Sequence, residues 1–193
     1  MSSQEAQSEV TAPAGVDRRG AVLDSALVTF ARFGYRKTSM EEVARAARIS
    51  RPGLYFLFAS KEDLFRAAVS RALGDDIAEV ERILGESDRP IRDRLLASFD
   101  RWAGRYIGPM TRDIAVVIED NPELLGEIVV AMPQRFANLV TSALAARATE
   151  PDRKTVVALA QTMISTSIGI KYQVDNRETY LERLGVAIDL LLR

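Results

Sequence analysis

Apolar residues fall at positions 23, 26, 27, 30 and 33, the spacing of a single helical face. Gly34 follows at once and predicts the end of that helix. Ser39 with Glu42 three residues on forms a capping box, so a second helix begins at Met40, with Met40, Val43, Ala44 and Ala47 as its stripe. Residues 48–50 form a tight turn, and Ser50 caps a third helix of about two turns, Arg51 to Leu57. Pro52 and Gly53 suit only its first turn, where the missing proline N–H has no partner to lose. Leu54 and Phe58 are its inward anchors. Ser60-Lys61-Glu62-Asp63 opens a long fourth helix whose stripe, Leu73, Ile77, Val80 and Leu84, runs to Gly85.

The pattern continues in helical steps. Leu95, Phe99, Trp102 and Tyr106 keep a 3.6 period until Gly108-Pro109. A shorter element is expected at about 111–119. Asn121-Pro122 opens another, which bends or restarts at Pro133 and runs to about 148. The last two helices span about 152–172 and 177–192, beyond a turn at Pro151. No β-run lies between hairpin turns and no unit of 20–50 residues repeats, so the fold class is all-α.

Composition removes whole chemistries. The chain has 193 residues, 47% of them apolar, with neither cysteine nor histidine. Thiolate and imidazole ligands, thiol nucleophiles and the commonest general base are therefore absent; carboxylates alone are left to catalyse or to hold a hard cation such as Mg²⁺, and no metal or cofactor is expected. Residues 1–16 are polar and read as a disordered tail. No apolar run approaches the 18 residues of a membrane span, which points to a cytoplasmic protein without membrane contact. The net charge of −1 is unevenly distributed: residues 17–73 hold 11 Lys+Arg against 6 Asp+Glu, and residues 74–193 hold 15 against 19. A basic first third joined to an acidic remainder is what a nucleic-acid-binding head on another domain looks like.

Two short helices joined by a tight turn, with a helix before them to pack on, make a helix-turn-helix over about 39–58. The outer face of the third helix presents Ser50, Arg51, Pro52, Gly53, Tyr55 and Phe56. Arg51 can read a guanine edge and Pro52 can meet a thymine methyl. Tyr55 can donate to a phosphate or a base. Core packing is the competing reading for Tyr55 and Phe56, and solvation for Arg48. Lys61 opposes the dipole of the fourth helix, a placement that a phosphate would compensate. Lys37, Thr38 and Ser39, ahead of the second helix, complete the candidate DNA-binding set.

The stretch from Thr38 to Leu64, TSMEEVARAARISRPGLYFLFASKEDL, resembles the DNA-binding signature of the TetR family of transcriptional regulators. Val43-Ala44, Ile49-Ser50, Leu54-Tyr55, Phe58, Ser60-Lys61-Glu62 and Leu64 fit that signature at the right spacing, as do Phe30, Phe33, Gly34 and Tyr35 before it. Two positions depart from it. Arg48 stands where the family has a turn glycine, so either a non-glycine residue takes a positive φ there or the turn differs slightly, and Leu57 stands where it has a histidine, which puts the phosphate contact expected there in doubt. The similarity covers about residues 17–65.

The resemblance implies a three-helix head, residues 17–64, joined by the long fourth helix to a larger helical domain, residues 65–193, that binds a small molecule and dimerises. Candidate pocket residues are Phe99, Trp102, Tyr106, Met132, Phe136, Met163 and Tyr172, although aromatic stripes also build cores. The acids Asp113, Glu119 and Asp120 can attract a cation or simply face water. Candidate interface residues on the last two helices are Ala160, Ile164, Ile168, Leu181, Leu184, Ile188 and Leu191; an intramolecular core explains that stripe equally well. The function implied is a homodimeric repressor that leaves a pseudo-palindromic double-stranded DNA operator when a small-molecule effector binds. An activator of the same fold is the alternative, with an all-helical carrier or enzyme more remote. Gly74 is the candidate bend in the connecting helix.

Overall fold

The computed structural model describes residues 17–108, 112–146 and 152–193, and of Arg112 and Asp113 only the backbone. The expected tail 1–16, the turn residues Pro109 and Pro151, and the side chain of Asp113 lie outside them. Among the described residues every regular element is helical.

The head follows its local signals closely. Helix α1 (Arg18–Phe33) is capped by the Asp17 carboxylate, which accepts from the N–H of Gly20, and ends at Gly34 with φ 79°. Helix α2 (Met40–Ala46) starts from the complete Ser39/Glu42 capping box. Helix α3 (Arg51–Leu57) carries the Ser50 cap and proline in its first turn. Helix α4 (Lys61–Leu84) is continuous through Gly74. At its start Ser60 accepts from Asp63, whose carboxylate accepts in turn from Ala59.

Helix α5 (Ile91–Trp102) stops earlier than its stripe implies. The chain tightens into a 3-10 turn at Gly104–Tyr106, so Tyr106 leaves the helical register. Gly104 is buried against Tyr180, where an added Cβ would stand 3.0 Å from the ring. Helix α6 (Arg112–Glu119) and the single turn α7 (Pro122–Leu125) follow. The break before the next helix falls at Gly126, φ 62°, and not at Pro133. Helix α8 (Ile128–Ala145) runs through that proline. Helices α9 (Arg153–Lys171) and α10 (Arg177–Leu191) complete the chain.

Helix α8 also modifies the membrane expectation. By length and composition it could cross a bilayer, with 18 residues and a mean hydropathy of 1.2. Its stripe Phe136, Val140 and Leu144 is buried among its neighbours, while Gln134, Arg135 and Asn138 are exposed on the other side.

Two cores divide along α4. Leu64, Phe65, Ala68 and Val69 pack with Val22, Ala26, Phe30, Val43, Leu54 and Phe58. Ile77, Val80 and Leu84 pack with Leu95, Phe99, Phe136, Met163, Tyr180 and Leu184. The first core also takes Val117 from α6 and Leu125 from α7, so the head rests on those two helices as well as on α4.

Candidate nucleic-acid interface and internal cavity

Helix α3 is too short to persist alone. It is held by Leu54 and by Phe58 just beyond its end, both buried in the first core. That pair fixes which side faces out. Arg51 and Pro52 are exposed, Tyr55 is 44% exposed and Phe56 is 90% exposed, the largest value for any large apolar side chain described. Core packing is therefore not what Tyr55 and Phe56 do. The guanidinium of Arg51 lies 5.7 Å from the centroid of the Tyr55 ring, one turn along, which limits its freedom without neutralising it. Ser50 accepts from the N–H of Gly53 at 3.1 Å, and Lys37, Ser39 and Arg48 are also exposed.

The turn settles the question raised by Arg48. Its φ is 54°, so a non-glycine residue does occupy the left-handed position, at about 1–2 kcal/mol. Leu57, in the place of the histidine, is half-buried and packs against the first core.

Two expected DNA ligands are otherwise engaged. Thr38 is buried, and its hydroxyl donates to the carbonyl of Gly34 at 2.9 Å. Lys61 donates to the carbonyls of Tyr35 and Thr38, each at 3.1 Å, and of Arg36 at 3.4 Å. Its ammonium also stands 4.5 Å from the Tyr35 ring centroid. A cation at a helix start needs a counterweight, and loop carbonyls supply one.

Behind the head, α5, the 3-10 turn, α6, α8 and α9 enclose a cavity of about 360 Å³. Phe99, Trp102, Tyr106 and Phe136 line it, four of the seven expected residues. Trp102 stacks on Phe136 at 5.1 Å and 10°, and Phe99 meets the same ring edge-on. The other three do not line it. Met163 is fully buried in the second core, Met132 packs beside that core, and Tyr172 is 70% exposed. Glu119 and Lys171 sit in the wall as an ion pair at 3.1 Å, whereas Asp120 does not line this cavity. Lys171 has no signal in the sequence, because its partner is 52 residues away.

Behind Tyr106 lies a wholly buried carboxylate. Asp76 of α4 accepts from the Tyr106 hydroxyl and pairs with Arg105 and, at 2.8 Å, with Arg101. Burial pushes the Asp76 carboxyl up, while Tyr106 and the two guanidiniums pull against it. Burial, and the Asp76 charge beside it, push the Tyr106 phenol up. A wall residue of the cavity is thus bonded directly to the helix that enters the head.

Several interface candidates prove internal. Ala160, Leu184 and Ile188 are buried in the chain's own second core, because α9 and α10 pack on each other and α10 on α5. Ile164 and Ile168 line the cavity, and Leu181 and Leu191 are partly covered by the second core. The large apolar side chains left outside here are Ile168 on α9, Tyr172 just past its end, and Val186 and Leu190 on α10.

A helix-turn-helix head with an outward α3 is joined through α4 to a helical domain that holds the cavity. Residues 22–68 match the model described as bacterial regulatory proteins, tetR family. The head is therefore a TetR-family head. An HTH-type transcriptional regulator of Bacillus subtilis, YhgD, described as uncharacterised, is 38% identical over 50 residues, 26% of each chain. The HTH-type regulator RutR of Escherichia coli K12 is 38% identical over 56 residues, 29% of this chain and 26% of RutR. The chain thus matches about a quarter of the length of these curated relatives. The whole fold is similar to the crystal structure of a TetR-family transcriptional regulator from Mesorhizobium loti. That structure has a TM-score of 0.72 and 18% identity, with 91% of this chain and 95% of that one covered.

Proposed function

We propose that the chain is a DNA-binding transcriptional regulator that works as a homodimer: a repressor whose hold on its operator is released when a small molecule enters the cavity. The observation that carries the DNA-binding part is the exposure of the α3 face. A helix anchored by Leu54 that leaves Arg51, Pro52, Tyr55 and Phe56 outside has no internal use for them. The major groove offers partners for each: a guanine edge for Arg51, and thymine methyls for Pro52 and Phe56.

In this reading residues 17–64 form the reading head and residues 65–193 the ligand-binding and dimerising part, in the cytoplasm where the DNA is. Two heads related by a two-fold axis would enter successive major grooves of a pseudo-palindromic operator at about 34–36 Å. The exposed Ile168, Val186 and Leu190 on α9 and α10 supply apolar surface for a second copy. Release follows from linkage: a ligand that prefers the wrong head spacing weakens DNA binding by its own preference ratio. Helix α6 supports the coupling. Ala115, Ile118 and Glu119 line the cavity while Val117 lies in the head core, so one helix touches both.

Selection of bound fragments from the parent genome, repeated with candidate effectors, tests the proposal. A palindromic consensus with one-turn half-site spacing, lost when an effector is present, is the expected result. Purified protein that ignores DNA at low salt would overturn it. Binding that strengthens with effector would favour activation.

A further inference from the structure

The chemistry of the cavity wall restricts what can fill it. At about 360 Å³ it lies at the small end of the range for ligand sites. Phe99, Trp102 and Phe136 form one packed aromatic group on its surface, with Trp102 and Phe136 nearly parallel. Flat surfaces of this kind complement another flat ring.

The polar side chains of the wall, among the described residues, are almost all engaged. The Tyr106 hydroxyl donates to Asp76, and the Ser167 hydroxyl is bonded to that of Tyr180 at 2.7 Å. Lys171 and Glu119 neutralise each other at 3.1 Å. An anionic ligand drawn to Lys171 would stand beside the Glu119 carboxylate, a like charge, and a cationic one drawn to Glu119 would stand beside the Lys171 ammonium. Either would also lose hydration to an apolar wall. The remaining polar side-chain group is the indole N–H of Trp102, a neutral donor that meets no protein acceptor among the described residues.

We propose that the cavity takes an uncharged, planar aromatic molecule carrying a hydrogen-bond acceptor, its acceptor in the plane of the Trp102 indole toward the N–H and its ring among the apolar side chains of the wall. This rests on the reading of the cavity as a small-molecule site and adds the class of molecule.

Trp102 is the chain's single tryptophan, so its fluorescence reports on the site. Three probes share one ring: 2-acetylnaphthalene, neutral with a carbonyl acceptor; 2-naphthoate, an anion; and (2-naphthyl)trimethylammonium, a cation. Each is titrated into the full chain by calorimetry, with the tryptophan signal read in parallel. The ketone is expected to bind at least tenfold more tightly than either ion. Trp102→Phe should reduce its affinity to that of naphthalene, measured by calorimetry.

Tighter binding of the naphthoate, lost in Lys171→Met, would overturn the assignment in favour of an anion, and tighter binding of the ammonium would overturn it in favour of a cation. In both cases the small-molecule reading survives. If none of the probes gives heat or a fluorescence change, the cavity is not a ligand site of this size and both readings fall. Ketone binding that leaves DNA affinity unaltered would uphold the ligand class and overturn release.

Discussion

The hydroxyl of Tyr106, in the wall of the cavity, donates to the carboxylate of Asp76, in the middle of the helix that enters the head. Arg101 and Arg105 hold the same carboxylate, and their side chains remain about a third exposed. Removing Asp76 would leave two guanidiniums and a phenol around an empty site. Asp76→Ala should therefore lower stability by about 3 kcal/mol, the low end for a broken buried pair because both arginines can turn to water. Urea unfolding checks this; a loss below about 1 kcal/mol would show that the cluster is not structural.

Arg51→Ala should weaken binding to the selected operator by about 1–3 kcal/mol and binding to random DNA far less. Fluorescence anisotropy on both duplexes measures the difference. Equal losses would mean that Arg51 only touches backbone.

Lys61 gives a contrast. Its donors are engaged by carbonyls of the loop ahead of α2, so Lys61→Met should lower the melting temperature and leave the slope of log affinity against log salt unchanged. A slope reduced by about 0.9 would instead reveal a phosphate contact.

Gly74 lies inside the unbroken α4, and a Cβ built there meets nothing within 4 Å. Packing does not require the glycine. Gly74→Ala should stabilise the fold by about 0.5–1 kcal/mol, through helix propensity and unfolded-state entropy. If α4 bends there to move the heads, effector-induced release should become weaker, as an operator-release titration would show. Unchanged release would place the bend elsewhere.

Acid should unfold the head through its caps. Hydrogen bonds from the Ser39 N–H and hydroxyl hold the Glu42 carboxyl below its ordinary value, and the Gly20 N–H followed by Arg71 does the same for Asp17. Groups lowered in the folded state contribute stability above their unfolded values, about 4, and lose it as pH falls through the folded ones. Melting temperatures should thus drop steeply below about pH 4, and Glu42→Gln should make that drop shallower. An identical acid profile in the variant would remove Glu42 from the account.

Much of the head was legible because its determinants are local. A cap three residues from its partner, a proline in a first turn and a glycine after a stripe are satisfied within one turn of backbone. So Ser39, Ser50, Pro52 and Gly34 mark α1 to α3 in the sequence itself. The Arg48 turn was legible as a choice between two outcomes, and only coordinates show the φ of 54°.

What the sequence could not determine depends on which helix meets which. Periodicity shows that Ala160, Leu184 and Ile188 lie on an apolar face but not whether another subunit or the chain's own α5 and α8 cover it; tertiary packing turned them inward. It could not foresee that Lys61 would find three carbonyls over 20 residues earlier, or that Glu119 would pair with Lys171. It also could not single out Asp76, one of six acids in a long amphipathic helix, as the one at the junction of cavity and head. Local hydrogen bonds and hydrophobic spacing are encoded within a few residues, whereas charges and pockets are completed by partners that only the folded chain brings together.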